Sequence, residues 1–303
     1  MSDKLILVTG AAGGRQGKTG RHVTELLLAH GVPVRAFVHQ TDERSDRLSA
    51  LGAEVVEGDF LDYHSVERAV RGVSSVYFAY PVQAGLLEAT AIMADAAQKA
   101  GVTRLIDMVM LISSPDAPTP RMRQNYLSEQ IFEWARVGAA HVRATVFYEN
   151  VRSLTGSSLV NDGTILLPWG SDNTVIPMVS GEDVARVAAG LLTASSVPPG
   201  GSYPVIGEVL ALRDIVATFS RVLGREVRYH QIPDELWYAG ALQRGLNQHA
   251  LEHLSQLWRS IRTTPASSAT WEPTATIETL GGRKPKTFEE FLREEQSALN
   301  GFG

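Results

Sequence analysis

The 303-residue chain predicts an α/β protein on a doubly wound parallel sheet, and three observations predict it. Short apolar runs alternate with longer helical patterns through the first half. A glycine-rich turn joins the first apolar run to the first helix. After Asn150 the alternation gives way to a loop-rich stretch with short strands, which marks a smaller C-terminal α+β region.

Leu5-Ile6-Leu7-Val8 reads as a buried strand. His22 to His30 reads as a helix with Val23, Leu26 and Leu27 on one face. Strands follow at Val34 to Val38, Glu54 to Val56 and Ser75 to Ala79, with helices at Val66 to Val70 and Leu86 to Ala100. Leu105 to Ile112 is a fifth strand interrupted by Asp107, Asn125 to Val137 a helix, and His141 to Phe147 a sixth strand. Such repetition implies parallel strands, right-handed crossovers and helices on both faces. Beyond Asn150, Gly156, Gly163, Pro168, Gly170 and Pro177 punctuate the chain. A helix over Glu182 to Leu192 is capped by Ser180, and Ser195 to Gly201 reads as a turn or linker. Further helices fall near Leu212–Leu223, Glu235–Ala241, Leu246–Ile261 and Phe288–Leu299. The expected division is 1–150 for the sheet domain and 151–303 for a smaller substrate-binding region, some segments of which return to the sheet.

Bulk properties narrow the function. With 44% hydrophobic residues, 20% charged and a net charge of −5, the composition is that of an ordinary globular chain. No dense Lys or Arg run favours nucleic acid or an anionic membrane. The absence of cysteine excludes disulfides, thiolate nucleophiles and Cys-ligated metals. The apolar stretch Leu5 to Val8 is too short for a signal core or a membrane span, so the expected location is the cytoplasm.

The richest segment is Thr9-Gly10-Ala11-Ala12-Gly13-Gly14-Arg15-Gln16-Gly17-Lys18-Thr19-Gly20. It leaves a strand and opens a helix, the context in which a glycine loop binds a dinucleotide. Glycines there allow a tight turn, close approach of backbone to pyrophosphate, and close helix–sheet packing, while the helix start supplies N–H groups. This makes Gly10, Gly13, Gly14, Arg15, Gln16, Gly17, Thr19 and Gly20 candidate cofactor residues of a Rossmann domain. A triphosphate-binding P-loop ending at Gly17-Lys18-Thr19 would need a glycine where Ala12 stands. His249-Ala250-Leu251-Glu252-His253 fits a zinc pattern, but no third ligand is evident and an ordinary helix face is the favoured reading, so no metal is expected.

The end of the second strand carries His39-Gln40 where NAD-preferring sites place an acid. Arg15, His39 and Arg44 can partner a 2′-phosphate, which favours NADPH; Asp42 and Glu43 leave NADH open.

Taken together the chain resembles the NmrA-like family of atypical short-chain dehydrogenases/reductases. The resemblance rests on Val8-Thr9-Gly10-Ala11, Gly52 through Phe60, Tyr80-Pro81, Ser113-Ser114, Tyr148-Glu149-Asn150, Glu182-Asp183-Val184-Ala185 and Lys286 through Phe291. The Tyr-x-Asn element and the tail look similar to the type 2 quinone oxidoreductase branch. The resemblance implies a cleft between two parts, with Asp59 and Phe60 by the adenine and Tyr80 and Pro81 near the nicotinamide. The chain departs from the pattern in a glycine loop about three residues longer than the common form, and in Asn125 where many relatives have lysine. It also contains no Tyr-x-x-x-Lys pair. The paired Tyr and Lys would supply a proton donor of lowered pKa. Without them, the hydroxyls of Ser113, Ser114, Tyr126 and Tyr148 are candidates to orient a carbonyl or quinone oxygen. Met108, Met110 and Met122, and Trp169, Trp237 and Trp258, either line an apolar pocket or fill the core. Two functions follow. One is an NADPH-dependent reductase of quinones or similar small carbonyl or aromatic acceptors. The other is a non-catalytic redox sensor that binds the dinucleotide and a protein partner. A Rossmann helix could also supply a homodimer face.

Overall fold

The structure, a computed structural model, describes residues 5–13, 18–265 and 271–296. The elements of the main sheet are β1 (Ile6–Thr9), β2 (Val34–Val38), β3 (Glu54–Glu57), β4 (Ser75–Phe78), β5 (Arg104–Met110), β6 (Ala139–Ala144) and β10 (Gly201–Val205). They lie in the order β10-β6-β5-β4-β1-β2-β3, every neighbouring pair parallel. This is the Rossmann order, whose direction reverses between β1 and β4 and opens a crevice at the strand C-termini there. β10 overlaps the stretch expected as a linker: Gly201 begins a strand beside β6.

Helices cover both faces. α1 (Thr19–Ala29) and α7 (Gly181–Thr193) share one apolar layer with β1, β2 and β6. α3 (Tyr63–Val70), α4 (Leu86–Ala100) and α5 (Pro120–Trp134) pack the other. A short helix not foreseen from sequence, α2 (Glu43–Ala50), starts at a capping box made by Asp42 and Ser45. Asp107 does not interrupt β5. It is buried directly opposite His141 of β6, so a polar pair shares the ladder.

A third core forms from the C-terminal half. Here the loop-rich expectation was wrong at its start: β7 (Val146–Phe147) leads straight into α6 (Tyr148–Asp162), and Gly163 caps that helix instead of breaking it. β8 (Thr164–Leu167) pairs with β12 (Arg228–Gln231), and β9 (Val175–Val179) lies between β7 and β11 (Glu208–Ala211). The remaining helices are α8 (Leu212–Leu223), α9 (Asp234–Gln243), α10 (Gln248–Thr263), α11 (Thr276–Gly281) and α12 (Phe288–Glu294). The Glu182–Ala185 motif anchors the tail: the Lys286 N–H donates to Asp183 Oδ2 at 2.9 Å, and Arg186 donates to the carbonyls of Gly281, Arg283 and Lys284.

Candidate functional site

One cavity of about 770 Å³ runs along the C-terminal ends of the sheet strands and under α10. It begins where β1 turns into α1. Gly10 has φ +62°, a left-handed conformation natural to glycine. A Cβ on Gly20 would collide with the Thr9 and Gly10 carbonyls, so only glycine lets α1 pack this close to the strand end. Among the described residues no side chain caps the first turn of α1, whose Thr19 and Gly20 line the cavity with Lys18. The turn therefore presents N–H groups to whatever lies in the cleft. Across the switch point, the Ala79 N–H donates to Thr9 Oγ1 at 2.9 Å and ties the ends of β1 and β4 together.

Around β2 and β3 the wall is formed by Phe37, Val38, His39, Gln40, Arg44, Asp59 and Phe60. Asp42 takes no part in it. Its carboxylate caps α2 and pairs with Arg44 at 2.5 Å, and Arg44 Nη1 also donates to the Gly13 carbonyl at 2.8 Å. Asp42, one of the two acids that left NADH open, is thus occupied; Glu43, the other, is exposed and off the wall, and Arg44 is braced against the glycine loop. Phe60 sits edge-on to Phe37, Phe78 and Tyr80, with ring centroids 5.3–5.7 Å apart.

Beyond β4 the cavity widens under α10. Tyr80 and Pro81 form its near edge, and Met108, Met110 and Met122 line it, so these methionines face space as well as core. Opposite them stand Leu254, Leu257, Trp258, Ile261 and Trp271. Of the other two tryptophans weighed from sequence, Trp169 packs against Trp258 at 5.0 Å and Trp237 lies in the same core; neither lines the cavity. Four polar side chains meet this apolar space from α5, α10 and the turn before α10: Arg121, Asn125, Asn247 and His253. Asn125 is buried on α5 and lines the cavity, and its Oδ1 has no hydrogen-bond partner among the described residues. Thr119, the cap of α5, shares a 3.0 Å hydrogen bond with His253 Nδ1 across the cleft. Burial, with the Arg121 guanidinium nearby, pushes His253 down to about 3, so its ring is neutral at ordinary pH. His249 is exposed while His253 is buried, and among the described residues no three His, Asp or Glu gather as a metal site.

The fold therefore brings ten of the expected cofactor residues to one cavity: Gly10, Gly13, Thr19, Gly20, His39, Asp59, Phe60, Tyr80, Pro81 and Asn125. Gly14, Arg15, Gln16 and Gly17 lie outside the described residues. The four hydroxyl candidates, Ser113, Ser114, Tyr126 and Tyr148, are not on the wall. Tyr148 is fully buried in the C-terminal core and donates to Glu208 Oε2 at 2.7 Å, with the Lys286 carbonyl at 3.2 Å. Burial and then the Glu208 carboxylate push its phenol well above the usual range, opposite to the need of a proton donor. Ser113 is buried with no hydrogen-bond partner among the described residues, and Tyr126 is half-buried; neither lines the cavity. The neighbouring Glu149 is likewise a tie, accepting from the Gly181 N–H at the start of α7 at 3.1 and 3.2 Å. Asn150, on the first turn of α6, does reach the cavity. Reasoning from sequence passed over Arg121, Asn247 and His253 as site residues. Only the i, i+4 spacing of Arg121 and Asn125 on α5 could have hinted at the first.

Comparison with known proteins fits this architecture. Residues 2–292 match the model of the NmrA-like family. A (4-alkanoyl-5-oxo-2,5-dihydrofuran-3-yl)methyl phosphate reductase of Streptomyces griseus is 30% identical over 302 residues, covering 97% of this chain and 99% of the relative. The solved structure of NmrA, a negative transcriptional regulator, in complex with NADP superposes with a TM-score of 0.82 at 21% identity, covering 100% of this chain and 99% of that one. That of an NADPH-dependent quinone oxidoreductase from Escherichia coli in complex with NADPH superposes with a TM-score of 0.77 at 20% identity, covering 96% and 99%. The chain belongs to the NmrA-like family.

Proposed function

From its place in the NmrA-like family, we propose that this protein is an NADPH-dependent reductase of quinones or similar conjugated carbonyl or aromatic acceptors. The observation that carries the reading is the continuity of the cavity. One space joins a glycine turn and a basic, aromatic end to a roomy apolar chamber. Its volume of about 770 Å³ is of the size that accepts small ligands, roughly 300–1,000 Å³. The reductase and dinucleotide-bound structures among its relatives support the same assignment.

The residues present fit the cofactor. The turn at the start of α1 would receive the pyrophosphate, Arg44 with His39 would take the 2′-phosphate, and Asp59 and Phe60 would border the adenine. Tyr80, Pro81 and the amide of Asn125 would border the nicotinamide. Bound there, NADPH supplies a hydride. The chain's own work is to hold the acceptor flat against that end, between the methionines of β5 and α5 and the indoles of Trp258 and Trp271, and to keep water out. In this division the sheet half holds the dinucleotide and the segments after residue 150 close over the acceptor. No Tyr–Lys pair serves as proton donor, which suits an acceptor whose reduced oxygens take protons from water.

The test is oxidation of NADPH with a panel of quinones and conjugated carbonyls. Turnover with at least one acceptor, lost on replacing Trp258, is the expected result; no turnover with any would sink the reading. One feature favours a sensor instead: no described hydroxyl on the chamber wall is free, since Tyr80 donates to the Ala84 carbonyl at 2.7 Å and Thr145 to the Pro177 carbonyl at 2.7 Å. A sensor must bind a protein partner unequally in its NADP⁺ and NADPH forms, because equal affinity shifts no equilibrium.

A further inference from the structure

Arg121 is a buried cation with no ion-pair partner among the described residues; the buried Asp107 attracts it only from beyond that distance. It sits on the first turn of α5, about nine-tenths buried, and lines the acceptor chamber. Its Nη2 donates to the Tyr80 carbonyl at 2.9 Å and its Nη1 to the Gln83 carbonyl at 3.2 Å, while Cζ lies 5.7 Å from the Tyr80 ring centroid. Those carbonyls and the ring face hold the guanidinium in place but do not neutralise it. Among the described residues its Nε has no hydrogen-bond partner and no carboxylate lies within ion-pair distance. A guanidinium keeps its proton inside a protein, so burying it unpaired is costly.

The other acids near it in the fold are engaged or turned away. Glu129, two turns further along α5, is bound by Arg143 at 2.6 and 3.0 Å. Asp107 belongs to the buried pair with His141, 3.6 Å from its Nδ1. Asp59, the one carboxylate on the cavity wall among the described residues, stands at the β3 end beside Phe60. The facing His253 is neutral. The chamber therefore holds a single formal charge, positive, inside an apolar enclosure of Met, Leu and Trp.

We propose that the natural acceptor is an anion, a conjugated ring or enone bearing an ionised oxygen group, and that Arg121 is the specificity residue that receives that group. The idea rests on the reductase reading for its substrate but not for its chemistry of binding. A charge-assisted, two-pronged contact from Arg121 would orient the acceptor's polar end, leaving the conjugated part against Met110, Trp258 and Trp271. Neutral acceptors would be poorer ligands, because they bury the guanidinium further and leave it unanswered.

The experiment compares two acceptors that differ in charge and one methyl group: 3-(1,4-naphthoquinon-2-yl)propionate and its methyl ester. The wild-type protein should show at least about a tenfold higher kcat/KM for the acid, mostly through KM, as expected for one charged contact. Arg121→Met should abolish that ratio, and Arg121→Lys should restore part of it. Calorimetric titration with NADPH checks that each variant is folded and should change by less than about twofold. Quenching of tryptophan fluorescence by the acid, with NADP⁺ present, reads binding at Trp258 and Trp271 without turnover. If neither compound turns over but Arg121-dependent quenching by the acid remains, the reductase reading fails and the anion site stands. An acid-to-ester ratio that survives Arg121→Met, or a wild-type preference for the ester, overturns the proposal. So does a loss of NADPH affinity as large as the loss for the acid, which would give Arg121 to the cofactor.

Discussion

The two walls of the cleft are built in different ways. The sheet wall around β1 and β2 is largely main chain: a glycine turn, an uncapped helix start and strand ends, with few side chains needing long-range placement. The α10 wall is made of side chains whose positions depend on a separate core, the one that packs Trp169 against Trp258 at 5.0 Å and gathers Tyr148, Phe288 and Phe291. A wall made of backbone is specified by local rules and should fail by losing the ligand it cradles. A wall made of packed side chains is specified by the fold and should fail by losing stability and shape.

The largest effect should come from Trp258→Ala. Removing a fully buried indole from the third core should cost about 3–5 kcal/mol in urea unfolding. NADPH affinity of the folded fraction should stay within about threefold. An equal loss of NADPH affinity would mean that the walls are not separable. Gly20→Ala tests the opposite wall. The added methyl meets the Thr9 and Gly10 carbonyls, so NADPH titration should show more than about a tenfold loss, with about 1–3 kcal/mol of stability. Unimpaired NADPH binding would remove the close helix–strand approach from the account.

A third prediction concerns pH. His253 is held down at about 3 when folded, against an ordinary value of 6.5. Below pH 6.5 the unfolded chain takes up a proton that the folded chain refuses. The neutral ring's contribution is therefore present above pH 6.5 and is lost as pH falls toward 3. Between pH 7 and pH 5 the change should be about 2 kcal/mol, and His253→Gln should flatten it in denaturation curves at the two pH values. Persistence of the full slope in the variant would locate the titration elsewhere. The smallest effect should be that of Arg44→Gln. Loss of this exposed guanidinium should weaken NADPH about tenfold and NADH little, as read by paired titrations. Equal losses for both dinucleotides would make Arg44 a brace for the Gly13 carbonyl and nothing more.

How much of this was legible without coordinates varies along the chain. The spans Val34–Val38, Leu86–Ala100 and Leu212–Leu223 agree with the structure residue for residue, because apolar periodicity and flanking turns mark them locally. Ser180 caps α7 as its hydroxyl and position suggest, accepting from the Asp183 N–H at 3.0 Å. The helix at Tyr148–Asp162 was hidden by its internal glycine and weak amphipathic pattern, and a helix that packs on several sides need not show a clean stripe. Asp107 looked like a break because its partner, His141, is read only when β5 and β6 lie side by side.

The sequence by itself determined the β/α alternation, the glycine turn and several helix caps, since each depends on residues within a turn or two of one another. Tertiary structure decided the rest of the site. Tyr148 has the look of a catalytic hydroxyl, yet it spends that hydroxyl on Glu208, 60 residues away. Thr119 meets His253 across 134 residues, and Arg121 is left near them with no ion-pair partner among the described residues. Whether a polar group is satisfied or available depends on what the whole chain brings to it, and short-range pattern carries no information on that.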